Sequence, residues 1–342
     1  GESTTFLSAN RNKRSLAIDL DEPQGADIAR RLAAQADVLV ESFRPGSLDK
    51  RGLGYDRVRE HNPGLIYCSI SAFGSVGPMA GSPGYDPIVQ AYSGIMSMTG
   101  EVDRSPVRLG IGAIDLGTGL WATIAIQAAL AARREHGRGC HIETSLYETA
   151  VWWLSYFITG YLASGNLPRR SGTRTAFIAP YETFPTADGD LMVAAANDNL
   201  FRLFVDALDI PEVAADPRFA SNPDRVANRE ALRALIVERT VHRTAAEWED
   251  VLTARTVPCS RIRTVADAVA DPQTEALGLL TALPHPLIPD LRMVDMPVSE
   301  GGRRAAHRRP PPLLGEHTSE VLAELGFSDD EIATLRDKGI VA

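Results

Sequence analysis

The chain has 342 residues, 44% hydrophobic and 23% charged, with a formal net charge of −9. That is ordinary globular composition in a chain long enough for a large core and two domains. A negative balance with no dominant basic stripe excludes nucleic acid as the expected partner. Basic clusters at 11–14, 169–170 and 303–309 read either as solvated loops or as contacts to a phosphorylated small molecule. Cys68, Cys140 and Cys259 are scattered and form no CxxC pair, so neither a disulfide framework nor a zinc site is indicated. A reducing, cytoplasmic location is expected. No signal peptide is expected, and no apolar run is read as reaching the roughly 18 residues of a membrane span, so no membrane partner is expected.

In chain order, residues 15–21 (SLAIDLD) predict a short strand. A helix follows from Pro23 to Gln35, with Ile28, Leu32 and Ala36 at helical spacing. Residues 37–41 (DVLVE) and 65–70 (LIYCSI) predict further strands, with a short helix at 53–61 closed by Asn62-Pro63. Short apolar strands alternating with helices suggest a parallel sheet covered by helices. Residues 74–84 carry four glycines and two prolines and form a loop, the kind that borders ligand sites at strand ends of open α/β sheets. Residues 86–98 predict a helix. Residues 115–134 predict a long, alanine-rich helix, apolar on most faces and therefore buried, ended by the glycines of 136–139.

Residues 148–164 predict another helix, crowded with Trp152, Trp153, Tyr156, Phe157 and Tyr161. Trp152, Trp153, Tyr156 and Phe157 serve either a pocket for a bulky apolar group or a core or dimer interface. After Gly165 the chain becomes basic and polar as far as Thr175, a linker or lid; Arg170 or Arg174 there offers a site for a carboxylate. A hairpin is expected over 181–195, then helices at 200–208, 229–241 and 245–254 and a strand at 262–265. Residues 283–300 read as β-rich, 307–314 as extended because of three consecutive prolines, and 318–325 and 329–338 as two capped helices. The fold class is α/β, with an α+β segment in the middle.

The stretch 137–150 (GRGCHIETSLYETA) holds a turn, a strand and then Glu148 at the start of an apolar segment. A carboxylate beside a helix N-terminus and an apolar wall is a usable nucleophile. The same pattern also describes a glutamate placed there only to suit the helix dipole, and Glu143 on the preceding strand is a weaker alternative. Fingerprints for dinucleotides, nucleoside triphosphates, zinc proteases and serine hydrolases (GxGxxG after a strand, GxxxxGK[ST], HExxH, GxSxG) are missing.

Six segments in register resemble the class III CoA-transferase family, which includes formyl-CoA transferase and L-carnitine CoA-transferase and is related to α-methylacyl-CoA racemase. They are NRNKRS at 10–15 with the following SLAIDLD, DVLVESFRPG at 37–46, Gly84-Tyr85-Asp86, residues 115–119, residues 137–148, and PLLGEHT at 312–318. The family pattern includes a first strand and helix ahead of position 10, and this chain enters the pattern after them. The resemblance implies a large Rossmann-like domain built from both ends of the chain, a smaller inserted α+β domain, and two interlocked subunits. The expected divisions are 1–165 and 286–342 for the large domain and 176–285 for the small one.

The resemblance also implies chemistry. A carboxylate attacks an acyl-CoA thioester, forming a mixed anhydride and then an enzyme thioester, before CoA passes to a carboxylic acid acceptor. No metal or further cofactor is needed; CoA thioester is the substrate. Glu148 stands where the family usually has aspartate. The matching CoA-binding positions are Ile18, Asp21, Ser42, Phe43, Arg44, Lys50, Arg51, Leu116, Gly117, Thr118 and Gly119. Arg44, Lys50 and Arg51 are either phosphate contacts or surface salt-bridge residues, and Asp21 replaces a residue that is basic in some members. The family's racemases carry histidine in Gly-His-Asp, where this chain has Tyr85. Tyrosine, with a pKa near 10, shuttles protons poorly at neutral pH, so transfer is favoured over racemization; Tyr85 lines the acyl tunnel or simply packs. His136, His141 and His317 are read as structural. A CoA-binding homologue without activity is the remaining alternative.

Overall fold

The computed structural model describes residues 2–342. The chain forms two compact units, one from the residues up to Ser93 with Ile111–Ser155 and Val269–Ala342, the other from Gly94–Gly110 with Tyr156–Ala268.

The first unit is centred on a three-stranded parallel sheet in the order β1 (Val38–Glu41), β2 (Ile66–Ser71), β3 (His141–Ser145). The register pairs Val40 with Cys68 and Cys68 with Ile142. Parallel strands need crossovers. The Tyr55–His61 helix joins β1 to β2, and the Asp86–Ser93 and Ala113–His136 helices lie between β2 and β3. Ile66 and Cys68 of β2 are fully buried, whereas Ser69 and Ser71 reach toward a cleft. Gly139 makes the return to β3 possible. A Cβ there would stand 1.8 Å from the Leu65 carbonyl oxygen, so only glycine fits.

Several expectations are corrected. Residues 15–21 make no sheet strand; they form one bridge, Ile18 with Val341, because their backbone partners are in the chain's last residues. Asp19 N–H donates to Ile340 O at 2.9 Å. Ile28 packs there with Leu322, Ile332, Leu335 and Ile340, against the Thr318–Glu324 and Asp329–Asp337 helices. The helix expected over 86–98 breaks at Gly94, which has φ +97°. The helix expected over 148–164 starts at Leu146 and divides at Leu154 into Leu146–Trp153 and Ser155–Ser164.

The long helix is only partly covered. Ala113, Ile114, Gly117, Thr118 and Ala122 are buried, but Leu116, Leu120, Trp121 and Ile124 are exposed. By length and composition alone it is long and apolar enough to cross a membrane, contrary to the sequence expectation. In the structure its buried side faces the sheet and the Leu146–Trp153 helix. Residues 283–300 hold less strand than expected: β7 (Leu280–Ala282) pairs antiparallel with β8 (Arg292–Val294).

The second unit carries an antiparallel sheet of β4 (Tyr181–Pro185), β5 (Asp190–Ala194) and β6 (Cys259–Arg261). β6 lies three residues before the strand expected at 262–265. The Asp198–Ala207, Arg229–Thr240 and Ala245–Thr253 helices cover the sheet. Phe184, Leu191, Phe201, Phe204, Ile236 and Trp248 fill its core. Glu182 is buried under three guanidiniums, those of Arg174, Arg229 and Arg233.

Candidate active site

The C-terminal ends of three parallel strands leave their last carbonyls and following loops around one opening, where open α/β sheets bind ligands. A cleft of about 670 Å³ opens there, walled by Glu41 of β1 and Arg44 after it, Ser69 and Ser71 of β2, Glu143 of β3 and Glu148 on the helix that follows. Its floor is aromatic. His141 stacks on Tyr55 with centroids 4.8 Å apart and sits edge-on to Tyr67, while its Nε2 lies 3.0 Å from Ser69 Oγ. A second cleft of about 350 Å³ adjoins it, sharing Phe43, Arg44, Ser71 and Phe73, and is closed by Tyr85 and Asp115.

Glu148 reaches the first cleft from the first turn of its helix. Ser145 caps that helix: its Oγ accepts from Glu148 N–H at 3.1 Å and donates to Glu148 Oε2 at 2.7 Å. The glutamate is thus both exposed to the cleft and engaged in holding its own helix end. Glu143 is exposed on the edge strand of the same cleft.

Asp115 reaches the second cleft from the first turn of the 24-residue Ala113–His136 helix. The buried carboxylate of Asp86 organises that turn. Its Oδ2 accepts from Ile114 N–H at 2.7 Å and Asp115 N–H at 3.2 Å, and its Oδ1 accepts from Gln90. Loss of solvent first, and the neighbouring Asp86 charge second, push the Asp115 carboxyl above the ordinary carboxylate range. A desolvated carboxylate with raised proton affinity is a stronger nucleophile than a hydrated one. The sequence reading places Asp115 in the family-like segment 115–119 but gives it no role, naming Leu116–Gly119 for CoA instead. The available signal was an acid in the first turn of the longest helix, paired with the acid of Gly84-Tyr85-Asp86.

The model of CoA-transferase family III matches residues 1–318. The chain belongs to CoA-transferase family III. It is similar to the succinyl-CoA:glutarate CoA-transferase of Homo sapiens, 37% identical over 99% of this chain and 78% of that protein. The succinate–glutarate CoA-transferase of Agrobacterium fabrum is 41% identical over 94% of this chain and 80% of that protein. A CAIB/BAIF family protein from Brucella suis superposes with a TM-score of 0.85 at 40% identity, covering 95% of this chain and 84% of that one. This family III CoA-transferase moves CoA between acyl-CoA thioesters and carboxylic acids.

The positions expected to bind CoA separate into groups. Ser42, Phe43 and Arg44 follow β1, and all three line the second cleft. Asp21, Lys50 and Arg51 come together with Arg30 around a depression of about 520 Å³ at the N-terminus of the Pro23–Gln35 helix. There Arg51 Nε donates to Asp21 Oδ1 at 3.0 Å and Nη1 to Ser47 O at 2.9 Å. Lys50 is exposed on its rim. Ile18 belongs to the bridge with Val341. Leu116, Gly117, Thr118 and Gly119 line neither cleft. Gly117 and Thr118 serve helix packing: a Cβ on Gly117 would meet Trp153 at 2.3 Å, and Thr118 Oγ1 donates to Thr149 Oγ1 at 2.8 Å. Tyr85 is 78% exposed at the mouth of the second cleft.

Proposed function

We propose that the enzyme transfers CoA between two small dicarboxylic acids through a covalent intermediate on one of its own carboxylates. The observation that carries the covalent step is a pair of adjoining clefts at the strand ends, with Glu148 facing one and Asp115 the other. Asp115 is the better nucleophile of the two, because its proton affinity is raised and Glu148 Oε2 already holds the Ser145 hydroxyl. The dicarboxylate reading rests on the similar proteins, whose names specify succinate and glutarate.

The steps balance without a further cofactor. The enzyme carboxylate attacks the thioester carbonyl; a C–O bond forms, the C–S bond breaks and CoA thiolate leaves. The thiolate attacks the enzyme carbonyl of the anhydride, releasing the donor acid. The acceptor carboxylate then displaces the thiolate from the enzyme thioester, and the thiolate attacks the acceptor's acyl carbon, regenerating the free enzyme carboxylate. The loop after β2 lines both clefts at Gly74, which makes its backbone the candidate source of oxyanion donors. Lys50 and the Pro23–Gln35 helix N-terminus receive CoA phosphate.

The proposal includes a cytoplasmic homodimer of interlocked Rossmann-like subunits. The exposed Leu116, Leu120, Trp121 and Ile124 support it, being an apolar helix side suited to burial against a second copy. The test is incubation with succinyl-CoA, hydroxylamine quenching and peptide mass spectrometry. A hydroxamate on Asp115 that disappears in Asp115→Asn and persists in Glu148→Gln supports the assignment; a hydroxamate on Glu148 reverses it. Deuterium exchange at the acyl α-carbon without any acceptor acid would turn the reading to a racemase.

A further inference from the structure

We infer that the second unit carries a separate binding site for a small carboxylate, built around Arg169 and Arg170. A cleft of about 760 Å³ runs along residues 165–170 and is closed by Ser97, Val102 and Asp103. Its wall is pinned by Gly172 N–H donating to Gly100 O at 3.0 Å. Arg170 lies in the angle of that contact: a Cβ on Gly100, at φ +121°, would stand 3.3 Å from Arg170 Cδ. The guanidinium stem is therefore held rather than free.

Arg170 Nε is buried and has no hydrogen-bond partner among the described residues. The Arg170 cation is thus undercompensated, and an anion in the cleft that Arg170 lines is favoured electrostatically. Arg174, four residues on, shows the contrast. It is consumed by Glu182 and Glu230, with Nε–Oε2 3.1 Å from Glu182, so it is not available to an acceptor acid. Two adjacent guanidiniums without a carboxylate partner among the described residues suit a planar anion, which arginine binds through two parallel N–H bonds. Asp103 also lines the cleft. Its charge opposes anions and weakens the site without abolishing it.

The choice of a carboxylate as ligand rests on the transferase reading; anion binding itself does not. The test is calorimetric titration of the full chain with glutarate, succinate and adenosine 3′,5′-bisphosphate, without CoA present. Dicarboxylate binding that falls about tenfold or more in Arg170→Ala is expected, from the worth of a charge-assisted hydrogen bond. Asp103→Asn should tighten it. Arg170→Ala must retain the circular dichroism spectrum and hydroxamate trapping of the parent, which reports a different unit and separates a lost anion site from a lost enzyme. Dicarboxylate binding equal in the parent and in a folded Arg169→Ala/Arg170→Ala variant overturns the proposal. So does binding confined to the bisphosphate, which would make the cleft a phosphate site.

Discussion

Asp86 is buried, charged and bonded to the helix that presents Asp115, so replacing it tests both stability and chemistry. In Asp86→Ala two backbone N–H groups, at 2.7 and 3.2 Å, lose their acceptor. An unsatisfied buried donor costs about 1–3 kcal/mol and a lost helix cap about 0.5–2 kcal/mol. Relief of the buried charge's desolvation offsets part of this, leaving a net loss of about 2–4 kcal/mol. Asp86→Asn keeps one acceptor oxygen for the two N–H groups and loses the charge–dipole attraction and the Gln90 bond as it stands, about 1–2 kcal/mol. Urea unfolding followed by tryptophan emission reads this well, since Trp121, Trp152 and Trp153 all belong to the first unit. The chemistry should move too. With its raised pKa, Asp115 binds its proton more tightly in the folded state, so its contribution to stability falls as pH rises from the ordinary carboxylate range through the raised value. Asp86→Asn removes the second cause of that shift. The low-pH limit of hydroxamate trapping should therefore move down, and the pH window of that stability loss should narrow. A loss below about 0.5 kcal/mol in Asp86→Ala, under the capping range, or an unmoved trapping limit in Asp86→Asn, would refute the reasoning.

Other outcomes follow from single contacts. Glu182→Gln leaves three guanidiniums around a neutral group and should cost about 3–5 kcal/mol, read as a lower urea midpoint. Gly139→Ala places a methyl 1.8 Å from a carbonyl oxygen of fixed backbone, so a loss of about 3 kcal/mol or more, or failure to accumulate folded protein, is expected. Lys50→Ala should raise KM for acyl-CoA several-fold, leave kcat nearly unchanged and flatten the salt dependence of KM. An unchanged KM at low salt would remove Lys50 from the CoA site.

The parallel strands at 38–41 and 66–71 were legible because apolar runs between helix signals have few other solutions. The hairpin of β4 and β5 was legible from its turn residues, and the CoA-transferase family from six segments in order. Other features needed long-range contacts. Residues 15–21 alternate like a strand, but their hydrogen-bond partners lie more than 300 residues away. The division at Leu154 has no proline or glycine to announce it. The long helix is equally apolar on its covered and uncovered sides, so composition alone overstated its burial. At the site, Glu148 was conspicuous because glycine turns precede it. Asp115 was not, because its environment is created by Asp86, far back in sequence.

The joining of residues 15–28 to the last turn of the chain has a consequence for biosynthesis. On the ribosome, the second unit has all its residues once Ala268 has emerged. The first unit does not: Ile28 and Ile18 must wait for Leu322, Ile340 and Val341. Contacts of such sequence separation form slowly, because loop closure precedes any gain from burial. The nascent chain thus carries a finished later segment and an unfinished earlier one, the apolar side of its Pro23–Gln35 helix uncovered until residues 322–341 have been made. Polar substitutions at Ile340 and Val341 would therefore act on yield before they acted on catalysis.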